Sequence, residues 1–115
     1  MIFANILVYI LPIRFIALGL LYKIRAKEEI NQVSGFRTNL SKKSKENWAY
    51  ANKYGGNITL IISLVFFLVN IGFQLKSWLD MDTALRLVAG QVLVYILSRL
   101  EIQRALKKYD KKIKD

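Results

Sequence analysis

The chain has 115 residues, 54% of them hydrophobic, and carries 18 Lys and Arg against 8 Asp and Glu for a formal charge of +10. That length makes a single domain the default, and the absence of Cys and His excludes disulfides, thiolate or imidazole catalysis and the usual zinc ligand sets. The apolar residues fall in three blocks with the charge between and after them, which is the segregation that lipid requires because Lys and Arg are costly there.

The first block runs from Ile2 to Tyr22. At ~1.5 Å per residue it can cross a hydrocarbon core ~30 Å thick. Its start, Met-Ile-Phe-Ala-Asn, has no basic n-region, and no small-x-small cleavage site follows, so an uncleaved span is expected rather than a signal peptide. Pro12 interrupts the run and is expected to kink it.

Residues 23–57 form a polar loop. The stretch Asn31-Gln32-Val33-Ser34-Gly35 has turn composition. A short interfacial helix over about 41–54 is predicted next. Ser41 or Ser44 would be its N-cap, and the Gly55-Gly56 pair its left-handed stop. Trp48, Ala51 and Gly55 share one face at three- and four-residue spacing. A short basic helix with a large aromatic residue is expected to lie flat at the headgroups.

The second span is predicted at about 58–75, followed by a tight link, Lys76 to Asp82, that contains Trp78. The third span, about 82–100, is the weakest because Arg86 and Gln91 lie inside it. A basic tail, 101–115, should continue it as an amphipathic extension. Ile102, Leu106, Tyr109 and Ile113 give the tail an apolar stripe. The fold class is therefore an all-α membrane protein of three transmembrane helices in one membrane domain, 1–115.

Orientation follows from the basic residues. The 23–57 loop holds eight Lys and Arg, the segment from Arg99 onward seven, and the 76–82 link only Lys76. This predicts the amino terminus outside and the loop and carboxyl terminus in the cytoplasm. Tyr22, Trp48 and Tyr54 then belong at the inner interface and Trp78 at the outer one. The basic tail reads as an anchor to anionic lipid headgroups or as a docking surface for an acidic cytoplasmic partner. No DNA- or RNA-reading motif accompanies the charge, so nucleic acid is not an expected partner.

Four polar residues lie inside the spans: Arg14, Asn70, Arg86 and Gln91. Depth counted along the helices suggests two pairs, Arg14 with Gln91 and Asn70 with Arg86. The alternatives are that Arg14 snorkels toward the inner headgroups and Arg86 pairs with Asp82. Asn70 and Gln91 would then be interhelical hydrogen bonds. A polar intramembrane path would instead suit a lipid-binding or small transport protein. Three spans have little interior in which to bury such groups, so a homodimer is expected.

The loop also carries a spaced motif: Gly35-Phe36-Arg37-Thr38, then Ser41, Trp48, Ala51 and Gly55, with Asn31 just upstream. It resembles the signature of the SdpI family of bacterial integral membrane proteins. That family carries Gly, an aromatic or aliphatic residue, Arg and Thr in a cytoplasmic loop between two membrane helices. Ser or Thr follows three residues on, and Trp ten residues after the Thr. The resemblance implies toxin immunity or signalling at the bacterial cytoplasmic membrane. It implies a secreted peptide toxin as ligand and a cytoplasmic regulator as partner, with no cofactor and no metal.

From the residues alone the same loop stays open to two readings. Gly35 permits a tight turn, Arg37 can fork onto a phosphate or carboxylate, and Thr38 and Ser41 can cap the following helix. Those features suit a folding and anchoring device, and they equally suit a site for an anionic headgroup or a peptide. An enzyme is not expected. The spans hold no Asp or Glu, and hydrolytic chemistry wants a general base or a metal.

Overall fold

The computed structural model describes residues 2–30, 34–77 and 80–114. Among them the chain forms three helices, α1 (Ile2–Ala26), α2 (Lys45–Leu75) and α3 (Met81–Lys114). All three contain stretches long and apolar enough to cross a membrane. Asn31 and Trp78, named above, lie outside the described residues.

The helices outrun the membrane at one end. At ~1.5 Å per residue, α1 is roughly 37 Å long, α2 roughly 46 Å and α3 roughly 51 Å, against a core of ~30 Å. The molecule measures 53 × 22 × 18 Å. The surplus gathers where α1 ends, α2 begins and α3 ends, so these elements and residues 27–30 and 34–44 build a head on the basic end of the bundle.

Two expectations fail here. No separate interfacial helix occupies 41–54, because α2 runs unbroken from Lys45 through Gly55 and Gly56 to Leu75. Ser44 is its N-cap, in extended conformation (φ −148°, ψ 162°) and accepting from the Asn47 amide at 3.0 Å. The glycines do not stop the helix; they let others approach it. A Cβ on Gly56 would lie 2.8 Å from the Gly19 carbonyl oxygen and 2.6 Å from Lys23 Cγ, and one on Gly19 would lie 2.8 Å from Leu60 Cγ. Here α1 and α2 pack almost backbone to backbone, as small residues allow in membrane helix pairs.

Nor is the basic carboxyl end a separate extension. It is the carboxyl-terminal part of α3, and its apolar stripe is spent on protein contacts. Ile102 and Leu106 are buried with Tyr22, Phe36 and Ala51 in the core of the head. Tyr109 stacks on Tyr50 at 4.3 Å between ring centroids, and only Ile113 of the stripe is exposed.

Inside the spans the apolar core is small: Ala4, Val8 and Ala84, flanked by Tyr9, Phe73, Leu87 and Val88. Large aliphatics such as Ile61, Leu64, Leu68 and Leu93 face outward, as lipid-facing helices require. The buried positions hold polar groups. Asn70 donates to the Val8 carbonyl at 2.7 Å and accepts from Gln91 Nε2 at 3.3 Å. Ser63 donates to the Thr59 carbonyl and shares a 2.7 Å hydrogen bond with the Tyr95 hydroxyl.

The pairing expected from depth is thus replaced. Asn70 and Gln91 bond each other, while Arg14 and Arg86 are exposed. The physical reason is that helical side chains lean toward their own amino terminus. Because α2 and α3 run in opposite directions, Asn70 and Gln91 lean toward each other. Depth along an axis also says nothing about azimuth. Arg86 sits instead within electrostatic reach of Asp80.

Candidate functional site: the clamped loop of the head

The loop begins at the end of α1. Arg25 closes that helix, its side chain donating to Ser34 Oγ at 2.8 Å and pairing with Glu28 at 2.6 Å. The carbonyl of Arg25, at the helix end, accepts the Glu28 amide at 3.1 Å and Trp48 Nε1 as a second donor at 2.8 Å. Trp48 is fully buried in protein. It does not anchor a helix in lipid headgroups, as its residue type suggested; it staples the start of α2 to the end of α1.

Gly35 makes the turn that sends the chain back over that staple. Its φ is +110°, a region that a side chain rarely adopts. A Cβ there would also lie 2.9 Å from both Trp48 Cη2 and Asn52 Oδ1. Conformation and space therefore both demand glycine.

Phe36 follows as a plug with 1% exposure. Its amide donates to Asn52 Oδ1 at 2.7 Å. Its ring meets Tyr22 edge-on at 6.0 Å, and Arg99 Cζ lies 5.0 Å from its centroid, a cation–π distance. Arg99 also donates to the Tyr22 hydroxyl at 3.3 Å. One aromatic residue of the loop is thus held by all three helices. Ala51, fully buried, lies in the same cluster.

Thr38 and Ser41 bind each other rather than cap α2. The Thr38 amide donates to Ser41 Oγ at 2.8 Å, and the Ser41 amide donates to Thr38 Oγ1 at 3.1 Å. Ser41 Oγ also lies 2.8 Å from the Phe36 carbonyl. This reciprocal turn is the geometry of a capping box without a helix behind it. Ser41 is fully buried and engaged with backbone, which is no arrangement for a nucleophile.

Of the residues from Gly35 to Ser41 that carry the motif, Arg37 alone points outward. The head also carries an open groove of about 660 Å³ lined by Thr38, Lys43, Gln103, Lys107, Asp110 and Lys111. Asp110, 9% exposed, ties the groove together. It accepts from Asn47 Nδ2 at 3.0 Å and pairs with Lys43 at 3.5 Å. Asn47 Nδ2 also donates to the Leu40 carbonyl at 3.0 Å. The groove has three lysines to one carboxylate and can hold an anion or an acidic segment. Among the described residues no acidic cluster could hold a metal ion.

The described residues of the spaced motif therefore come together in the head, while Arg14, Asn70, Arg86 and Gln91 lie far from it along the spans. Sequence reasoning missed Asn47, Asn52, Asp110 and the Tyr22–Arg99 pair. The one signal for Asn52 was its place four residues after Trp48, on the buried face of what proved to be a long helix that also buries Asn47.

The arrangement defines a class, a three-helix membrane protein with a basic head clamped by one loop. The match to known proteins is to the SdpI/YfhL protein family over residues 27–100, and the chain belongs to that family. A relative is the uncharacterized protein YfhL of Bacillus subtilis (strain 168), 28% identical over 85 residues that cover 74% of this chain and 76% of the relative. No solved structure matches the chain.

Proposed function

We propose that the protein is an immunity or signalling component of the bacterial cytoplasmic membrane, acting against a secreted membrane-active peptide toxin. The amino terminus faces out and the head faces the cytoplasm, in keeping with eight and seven basic residues on one side of the spans against one on the other. Anionic headgroups surround the head, and a cytoplasmic regulator protein is the partner for its basic groove. A homodimer supplies the burial that three helices lack.

The observation that carries this reading is the exposure of Arg37 in a loop whose other described motif residues are buried or half-buried. Gly35, Phe36, Thr38, Ser41, Trp48 and Ala51 are accounted for by holding the loop. Arg37 is exposed on the product of that effort, where a guanidinium fork suits a carboxylate or phosphate of a partner.

The test is a toxin-protection assay in a sensitive bacterium, with membrane levels measured for each variant. Wild type protects. Arg37→Ala reaches the membrane at wild-type level and loses protection at least ten-fold. Trp48→Ala loses protection together with membrane level. Undiminished protection by Arg37→Ala, or none by wild type against every peptide toxin tried, overturns the reading.

A further inference from the structure

The charge most at odds with its surroundings is Arg14. It sits twelve residues into α1, roughly 18 Å from the helix start, near the mid-plane of a ~30 Å core. Its side chain is exposed on the outside of the bundle. Among the described residues no hydrogen bond or ion pair engages it. No Asp or Glu occurs anywhere in α1 or in residues 58–75 and 83–100, so the spans contain no acid with which it can pair.

Arg14 lines one end of an open groove of about 590 Å³. The groove runs toward the amino-terminal end of α1, past Ile13, Ile10, Tyr9 and Ile6 to Asn5, with Gln74 of α2 on its far wall. Its direction is away from Tyr22, toward the end of the bundle opposite the head. The walls have two characters. Ile6, Ile10 and Ile13 are 54%, 53% and 57% exposed and offer an apolar track. Beside them lie polar groups at successive depths, Asn5, then the Tyr9 hydroxyl donating to Gln74 Oε1 at 2.8 Å, then Arg14.

We infer that this groove is a binding site for an anionic phospholipid from the leaflet at the amino-terminal end of α1, its phosphate drawn inward onto Arg14 and an acyl chain lying along Ile6, Ile10 and Ile13. A guanidinium presents paired donors that match a phosphate. A cation within the hydrocarbon region draws headgroups and water toward itself, the local thinning known for intramembrane arginine. The Asn5 amide and the Tyr9–Gln74 pair line the passage and can hydrogen-bond the glycerol and headgroup. Net charge selects among lipids. A zwitterionic headgroup carries an ammonium, and the groove has no carboxylate to receive it, whereas an anionic headgroup leaves one negative charge for one positive charge. Occupancy of this groove is independent of toxin protection by the head at the other end.

The test uses the full chain in phosphatidylcholine nanodiscs with a photoactivatable tracer lipid, either phosphatidylglycerol or phosphatidylcholine, and maps adducts by mass spectrometry. Phosphatidylglycerol is expected to label α1 between Asn5 and Arg14 at least five-fold more than phosphatidylcholine does. Arg14→Gln lowers that labelling at least five-fold and leaves phosphatidylglycerol adducts on the 34–44 loop unchanged, which reports that the variant is folded. Arg14→Lys, which keeps the charge and loses the fork, falls between. Equal labelling of α1 by the two tracers in wild type overturns the site without any variant. So does equal labelling of wild type and Arg14→Gln, or displacement of the tracer from α1 by an equimolar acidic peptide.

Discussion

The head and the membrane-spanning half of this molecule are built from the same three helices under opposite rules. In the head, large apolar and aromatic side chains are inside: Trp48, Phe36, Ile102 and Leu106 are the largest fully buried groups. In the spans the inside holds Asn70, Gln91 and Ser63, while Leu68 is 68% exposed. The difference is one of solvent. Water drives apolar area inward, whereas lipid is as apolar as leucine and leaves close packing and polar bonds to join helices. Along α2 the large buried aromatic, Trp48, comes before Gly55 and Gly56, and the buried residues after them are Thr59, Ser63 and Asn70.

If that contrast is right, the head carries most of the cost of a side-chain deletion. Trp48→Ala removes a filled volume and one of the two donors to the Arg25 carbonyl. It is expected to destabilise by about 3–5 kcal/mol, the range for large-to-small changes at buried aromatics, read as a lower unfolding midpoint in detergent micelles. Gly35→Ala should come next, at roughly 2–4 kcal/mol, from left-handed strain plus overpacking against Trp48 and Asn52.

In the membrane half, Asn70→Leu breaks the bonds to Val8 and Gln91 yet is expected to cost only about 0.6–2 kcal/mol, because interhelical hydrogen bonds are weak against a reference state still in lipid. Adding Gln91→Leu should return part of that loss, since Gln91 Oε1 is already buried without a partner and removing both polar groups removes the mismatch. An Asn70→Leu cost above that of Trp48→Ala would break the contrast.

The smallest effect belongs to Asp80, an exposed cap on the first turn of α3. Its carboxylate accepts from the Thr83 amide at 2.8 Å, and hydrogen bonding from Thr83 holds its pKa below the ordinary carboxylate range. A depressed pKa means the native state favours the ionised form. The contribution is therefore present at neutral pH and is lost as pH falls through the carboxylate range toward the depressed value. Asp80→Asn should flatten that acid limb while leaving neutral-pH stability within the scatter of surface substitutions.

Much of the fold was legible because three long apolar runs are a statement about solvent, and no partner needs to be known to read it. The motif was legible too, since Gly35, Phe36, Ser41 and Trp48 lie at short fixed spacings. What could not be read are contacts closed by distant chain. Asn52 reaches Phe36 across 16 residues, Asn47 reaches Asp110 across 63, and Arg99 reaches Tyr22 across 77. Gly55-Gly56 was misread for the same reason. A glycine pair has one signature whether it stops a helix or lets a neighbour in, and only the neighbours show which, Tyr22 and Ile102 at Gly55 and Gly19 and Lys23 at Gly56.

By itself, then, the amino-acid sequence determined that this is a three-helix membrane protein of the SdpI/YfhL family with its positive charge on one side, because hydrophobicity and charge are properties of residues taken singly. Tertiary structure alone decided that the motif clamps a head, that Asn70 meets Gln91, and that Arg14 is left exposed on the outside of the bundle. Azimuth around a helix and the meeting of antiparallel elements are set by packing, and packing is a property of residues taken together.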